Sequence, residues 1–274
     1  MILLQISLLV YAAATVLYAI AVFWKSRFLA LYSWWVLLAG GVLHLGFTVF
    51  RAVSAGRWPF LGAFESISFF VLLFVIIYLV VEKRLRTPSL GVLAAPMVFL
   101  FLFVAFFQSK QAAPLEPVLQ SYWYPVHVST LFFSYGLLAL AFLGAWAYLL
   151  QEWLLKRKSS IGMLRYFPPL ETLGDLCYRL VSLGFPLMTV GIVTGVVWAQ
   201  SAWGVFWKWE PKLVFAMVTW LWYAVYLHLR YVGGWRGRRT NIILIIGFFI
   251  LLFTFLAANY LPGEYHKFGM PGSG

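Results

Sequence analysis

Cysteine is almost absent from this chain of 274 residues, Cys177 being the single one. One thiol excludes a disulfide scaffold, a Cys-rich metal site and dithiol redox chemistry. Acidic residues are also scarce, eight against twenty Lys and Arg. Charged residues together reach 10%, where about 25% is usual in soluble domains. No phosphate-binding Gly loop and no low-complexity tract interrupts the chain. The composition is instead 64% hydrophobic and 20% aromatic, against about 45–50% apolar in ordinary globular chains. A soluble fold of this size would leave much of that surface in water, so the chain reads as an integral membrane protein.

A net charge of +12 raises the question of nucleic acid. The charges, however, sit in short clusters between long apolar runs, which is how a membrane protein fixes its orientation. Nucleic acid is therefore not the expected partner; membrane lipid is. The first residues, Met1-Ile2-Leu3-Leu4-Gln5, lack the basic region of a cleavable signal, and the run they open reads as a first spanning helix.

A span needs about 20 mostly apolar residues. Eight such runs occur, near 3–24, 31–51, 62–81, 90–108, 125–150, 184–201, 212–231 and 241–260. Eight crossings put both termini on one side. One set of connections carries Lys25, Arg27, Lys83, Arg84, Arg86, Lys156, Arg157, Lys158, Arg165, Arg179, Arg230, Arg236, Arg238 and Arg239. The other carries only Arg51, Arg57, Lys110, Lys208, Lys212 and Lys267. The positive-inside rule makes the first set cytoplasmic and both termini external. Between spans five and six, Pro168-Pro169 precedes Leu170, Leu173, Leu176, Leu180 and Leu183 beside Glu171, Asp175 and Arg179. Three- and four-residue spacing of that kind predicts an amphipathic helix on the cytoplasmic membrane surface, about 169–183. The expected fold is all-α: one membrane domain over 1–274, a bundle of about eight helices with that surface helix and an outer Trp-rich segment.

That segment, 198–212, places Trp198, Trp203, Trp207 and Trp209 with Phe206 between spans six and seven. An interfacial aromatic belt explains one or two tryptophans. Several flat rings with Gly204, Lys208 and Lys212 suit a large planar ligand better. A porphyrin offers two apolar faces for stacking and two propionates for cations. Pro211 fits the first turn of the next helix, and Glu210 suits the positive end of its dipole. Iron needs axial ligands, most often His.

The sequence holds four histidines. His127 opens span five and His266 follows span eight, both on the face that carries the Trp segment. His44 and His228 lie within spans two and seven, where an ionisable residue is costly and hence a functional candidate, or else a neutral His bonded to a neighbouring helix. At ~1.5 Å per residue, His44 sits ~20 Å and His228 ~6 Å above the inner side of a ~30 Å core. Moving both helix starts by three residues brings the levels within ~5 Å, so a shared iron between them stays open.

Trp198-Ala199 through Trp203-Gly204 and Trp207-Lys208-Trp209-Glu210-Pro211-Lys212 resemble the tryptophan-rich "WWD" signature of the cytochrome c assembly proteins, CcsA (ResC) type. Leu170 to Tyr178, Gly184-Phe185-Pro186, Gly191 and Gly195 resemble the segment leading into it. Tyr226-Leu227-His228-Leu229-Arg230 resembles its continuation, and Gly56 to Ser66, with Pro59 and Glu65-Ser66, the family's second outer loop. The likeness covers roughly 40–270. Glu210 stands where the family has Asp, and Gly263-Glu264-Tyr265-His266 where it more often has Gly-Leu-His.

The resemblance implies a haem-delivery component of system II cytochrome c biogenesis, part of a cytochrome c synthase complex. It implies haem b (iron protoporphyrin IX) on the outer Trp segment, with His127 and His266 as axial ligands. His228 then marks a second, intramembrane haem position, completed by His44 or by a histidine of a partner subunit. The implied partners are a CcsB/ResB-type membrane subunit, an apocytochrome c presenting Cys-x-x-Cys-His, and a separate thiol-reducing protein, since Cys177 stands alone. The implied location is the bacterial plasma membrane, and a thylakoid membrane suits the same reading. Because ligating imidazoles must be neutral, haem retention is expected to weaken in acid. A haem-binding regulator or scaffold of the HemX-like type is the alternative, and a transporter for another small molecule the third reading. The complete Trp segment and paired outer histidines favour delivery over both.

Overall fold

The computed structural model describes residues 1–85, 88–111, 117–157, 167–207 and 209–260. Among them eight helices are long and apolar enough to cross a membrane, and no strand is present. They are α1 (Ile2–Phe23), α2 (Arg27–Ala55), α3 (Gly62–Leu85), α4 (Gly91–Ala105), α5 (Trp123–Lys156), α6 (Leu170–Trp203), α7 (Pro211–Tyr231) and α8 (Arg238–Tyr260). We use "Trp side" for the end of the bundle at the α6–α7 connection and "basic side" for the other.

Antiparallel neighbours follow from short connections, and the helices pack in pairs: α1 on α2, α5 on α6, α7 on α8. Helix α3 is the hub, 72% buried over its most apolar stretch, against 17% for α7. Inside lipid, apolar surface alone gives helices little reason to associate, so close backbone approach and interhelical hydrogen bonds decide the pairing. The α5–α6 seam uses both. Ser134 Oγ donates to the Gly184 carbonyl at 2.7 Å, and Cys177 Sγ to the Ala141 carbonyl at 3.4 Å. The thiol is thus a packing group.

The amphipathic stretch 169–183 is not a separate surface helix. It is the first part of α6, which runs unbroken for 34 residues, matching the 34 of α5. At ~1.5 Å per residue each spans ~51 Å, well beyond a ~30 Å hydrocarbon core. The apolar face that suggested a membrane surface is covered by protein in part: Leu173 and Leu180 are buried, with Cys177 between them, while Leu183 is exposed. Periodicity identified an apolar face; it carried no information on whether lipid or α5 covers it.

On the Trp side, the connection from α2 to α3 is tied by buried charge. Glu65, in the first turn of α3, accepts from Arg51 Nε at 2.8 Å and from Arg57 Nη1 at 2.7 Å. It also accepts from the Leu61 amide at 3.0 Å, while Arg57 reaches the Trp58 carbonyl at 3.0 Å. These bonds hold Phe60 and Leu61 inward beside α5. Removing one partner from a buried ion cluster leaves uncompensated charge, at about 3–5 kcal/mol. Glu65→Ala is therefore expected to lower the thermal unfolding midpoint in detergent, and an unchanged midpoint would contradict a structural role for the cluster.

Candidate functional site

On the Trp side the α5, α6 and α7 helices line a cavity of about 200 Å³, open at its mouth. Its lining includes Phe60, Tyr124, His127, Trp198, Trp203, Trp207 and Lys212, and, deeper, Met188, Thr219 and Thr254. Its walls are therefore mostly rings and aliphatic chains, with a few polar groups at fixed points. That is the general character of a small-molecule site.

His127 is seated by α6. Its Nδ1 lies 2.7 Å from the Gly191 carbonyl oxygen, which can only accept. Nδ1 therefore carries the proton and Nε2 keeps its lone pair, the arrangement that metal-ligating histidines use. The ring also stacks on Trp198, centroids 6.1 Å apart at 29°. Gly195 makes this seat possible. A Cβ there would stand 2.5 Å from Cε1 and Nδ1 of His127.

Three of the four tryptophans converge and one does not. Trp198 is buried, donates Nε1–H to the Val118 carbonyl at 3.1 Å and meets Tyr124 at 5.4 Å and Trp203 at 4.9 Å. It is the back wall of the cavity rather than an open shelf. Gly204, at φ +70°, ends α6 in the left-handed conformation and turns the chain so that Trp207 lines the mouth. Trp209 packs edge-on to Trp207 at 5.8 Å but is 83% exposed and outside the lining. Glu210 is buried as the residue before α7, and Pro211 opens that helix as expected. Lys212 lines the cavity; Lys208 and His266 lie outside the described residues.

The inner pair is not brought together. His44 is fully buried, with Tyr11 Oη 3.2 Å from Nδ1 and Ser68 Oγ 2.8 Å from Nε2. Both ring nitrogens are hydrogen-bonded inside the α1–α2–α3 unit, the arrangement of a neutral histidine bonded to its neighbouring helices. His228, on the last turn of α7, is exposed and lines a separate cavity with Tyr178, Ser182 and Phe185. The α2 and α7 helices form no substantial contact, so the depth estimate omitted their lateral separation.

The sequence profile of the family described as "Cytochrome C assembly protein" matches residues 60–266. The chain belongs to the cytochrome c assembly protein family. Its relatives include "Cytochrome c biogenesis protein CcsA" of Mesostigma viride, 31% identical, covering 97% of this chain and 93% of that one. The protein of the same description from Guillardia theta is 35% identical, with 80% and 79% covered. Among solved structures, "Cytochrome c Heme Lyase CcmF" superposes with a TM-score of 0.63 at 17% identity, over 93% of this chain. The chain spans 46% of that protein's length, and the likeness is one of fold.

Within this family member, reading the sequence alone missed why Gly191 and Gly195 stand one turn apart. They supply the acceptor and the space for His127, and the small-xxx-small spacing of a close helix contact was the available signal. It also missed Phe60 and Tyr124, whose roles depend on the Glu65 cluster. Gly195→Val is expected to push the His127 ring off α6 and break its bond to Gly191. Carbethoxylation of His127, followed by mass spectrometry, should then accelerate; an unchanged rate would show that the seat does not depend on Gly195.

Proposed function

We propose that this chain is a haem-handling component of cytochrome c assembly that presents haem b on the Trp side to an apocytochrome. The observation that carries the reading is His127: an imidazole at the wall of an aromatic cavity, its Nδ1 proton committed to Gly191 and its Nε2 lone pair free of any described donor. The residues suit the cargo. Trp198, Trp203, Trp207 and Phe60 give a porphyrin apolar faces, and Lys212 with Lys208 supplies cations for propionates. His266 is proposed as the second axial ligand, with Trp209 and Glu210 shaping the rim of the segment.

In delivery, the protein's contribution is position. An aromatic pocket open on one side holds the cargo by its faces and one axial nitrogen, leaving its edge accessible. An apocytochrome segment Cys-x-x-Cys-His brings two thiols to the two vinyl groups of haem b. Each S–H adds across a vinyl C=C, sulfur to one carbon and hydrogen to the other, without net oxidation or reduction. Fixing the partners converts a bimolecular step into an effectively unimolecular one. On this reading the chain is part of a synthase, working with a CcsB/ResB-type membrane subunit. Another protein keeps the apocytochrome thiols reduced. His228 is proposed as one ligand of an intramembrane haem position whose second ligand comes from that subunit.

The orientation proposed has the basic side in the cytoplasm and both termini outside, in a bacterial plasma membrane or a thylakoid membrane. A tag at Arg236–Arg239 should then resist impermeant external reagents, and external labelling there would overturn the orientation. Protein purified from haem-replete cells should show a Soret band that His127→Ala largely loses; a colourless wild type would contradict the reading. Deletion should abolish mature c-type cytochromes, and normal maturation would refute a role in synthesis.

A further inference from the structure

The two cavities described above lie on one seam. The second is a groove more open than the first. On α6 its lining residues Tyr178, Ser182 and Phe185 continue, at three- and four-residue spacing, into Met188, Ile192 and Val196 of the first cavity. On α7, Ala216 of the first cavity and Leu227 of the second likewise share one face, which also carries residues 220 and 223. Both cavities thus open on the facing surfaces of α6 and α7.

Trp220 stands between them. Its ring lies 5.2 Å from that of Phe185 at 32°, and its Nε1–H donates to Thr189 Oγ1 at 2.9 Å. Thr189 Oγ1 in turn donates to the Phe185 carbonyl at 3.0 Å. All three residues are partly rather than fully buried. The α6–α7 contact is slight beside α5–α6, and α7 is the least buried helix of the bundle. Pro186, inside α6 and beside this contact, has no N–H for the Ser182 carbonyl, which loosens the helix at this level. A weak seam, a proline and one hydrogen-bonded ring are the elements of a latch. A core packing pair would instead be expected deep in the α3–α5 centre.

We propose that Trp220 is a latch separating the two cavities, and that a large planar cargo passes along the α6–α7 seam when its ring swings away from Phe185 and Thr189. This rests on the haem-delivery reading for the identity of the cargo. The latch itself is testable without haem.

The experiment uses full-length protein with Cys177→Ser and a single reporter, Ala216→Cys, in oriented membrane vesicles. A charged methanethiosulfonate is added from the basic side. With Trp220 intact, labelling from that side should be slow. Trp220→Ala should accelerate it about tenfold and Thr189→Val about threefold, the range that loss of one hydrogen bond spans. Labelling from the Trp side should stay unchanged, which reports an intact fold. If the Trp220→Ala protein fails to accumulate, Thr189→Val decides. Equal rates from the basic side in the variants and the parent would overturn the latch. Equal rates alongside a His127-dependent Soret band would remove the latch and keep the cargo reading. Faster labelling in a protein that never binds haem would do the reverse.

Discussion

A hydrogen bond of 2.7 Å joins His127 Nδ1 to the Gly191 carbonyl, and it exists because two 34-residue helices approach closely enough to share it. Everything proposed for the Trp side depends on that approach. In lipid it cannot be driven by apolar burial alone. It is built from a glycine that leaves room for an imidazole, a serine and a thiol that bond across the interface, and leucines that fill the space between. The same contact orients the ring, selects its tautomer and puts Trp198 behind it. A site assembled on two rigid helices keeps its geometry better than one carried by a connection. The four-tryptophan segment, Trp198 and Trp203 on α6 and Trp207 and Trp209 on the connection, supplies walls rather than the anchor.

The rest of the bundle supports this pair through buried polar groups that bridge helices. Glu65 with Arg51 and Arg57 holds the α2–α3 connection inward, so that Phe60 becomes a cavity wall. Tyr11, His44 and Ser68 tie α1, α2 and α3 to one another. Tyr18 donates to Glu82 at 2.5 Å near the basic side, fastening α1 to α3. Such groups are costly in hydrocarbon unless paired, and here they bond across helix boundaries. The α6–α7 seam has no buried charge cluster at its centre among the described residues. It carries the Trp220–Thr189 hydrogen bond and, at its basic end, the Arg230–Asp175 ion pair, and it is where the two cavities meet.

Much of this was legible in the sequence, for physical reasons. Eight apolar runs gave eight helices because twenty consecutive apolar residues leave few other options. Pro211 marked a helix start through its backbone chemistry. The Trp segment and His127 pointed to one end of the bundle because four tryptophans exceed what an interfacial belt explains and His127 opens a span on the same face. What was not legible was whatever depends on which surfaces meet. Leu173, Cys177 and Leu180 form an amphipathic face whether lipid or α5 covers it. His44 and His228 are both intramembrane histidines, and composition cannot say that one is hydrogen-bonded on both nitrogens while the other is exposed. Trp198 and Trp209 are the same residue type eleven positions apart, one a buried wall and one facing outward.

If His127 ligates haem through Nε2 while α6 holds Nδ1, emptying the ring's seat should cost the haem and refilling it should bring the haem back. His127→Gly, purified from haem-replete cells, should have lost most of the Soret absorbance of the parent, and imidazole added during haem reconstitution should restore it, with a six-coordinate spectrum. Full retention of haem by the glycine variant, or a loss that imidazole does not reverse while the fold is intact, would contradict that ligation.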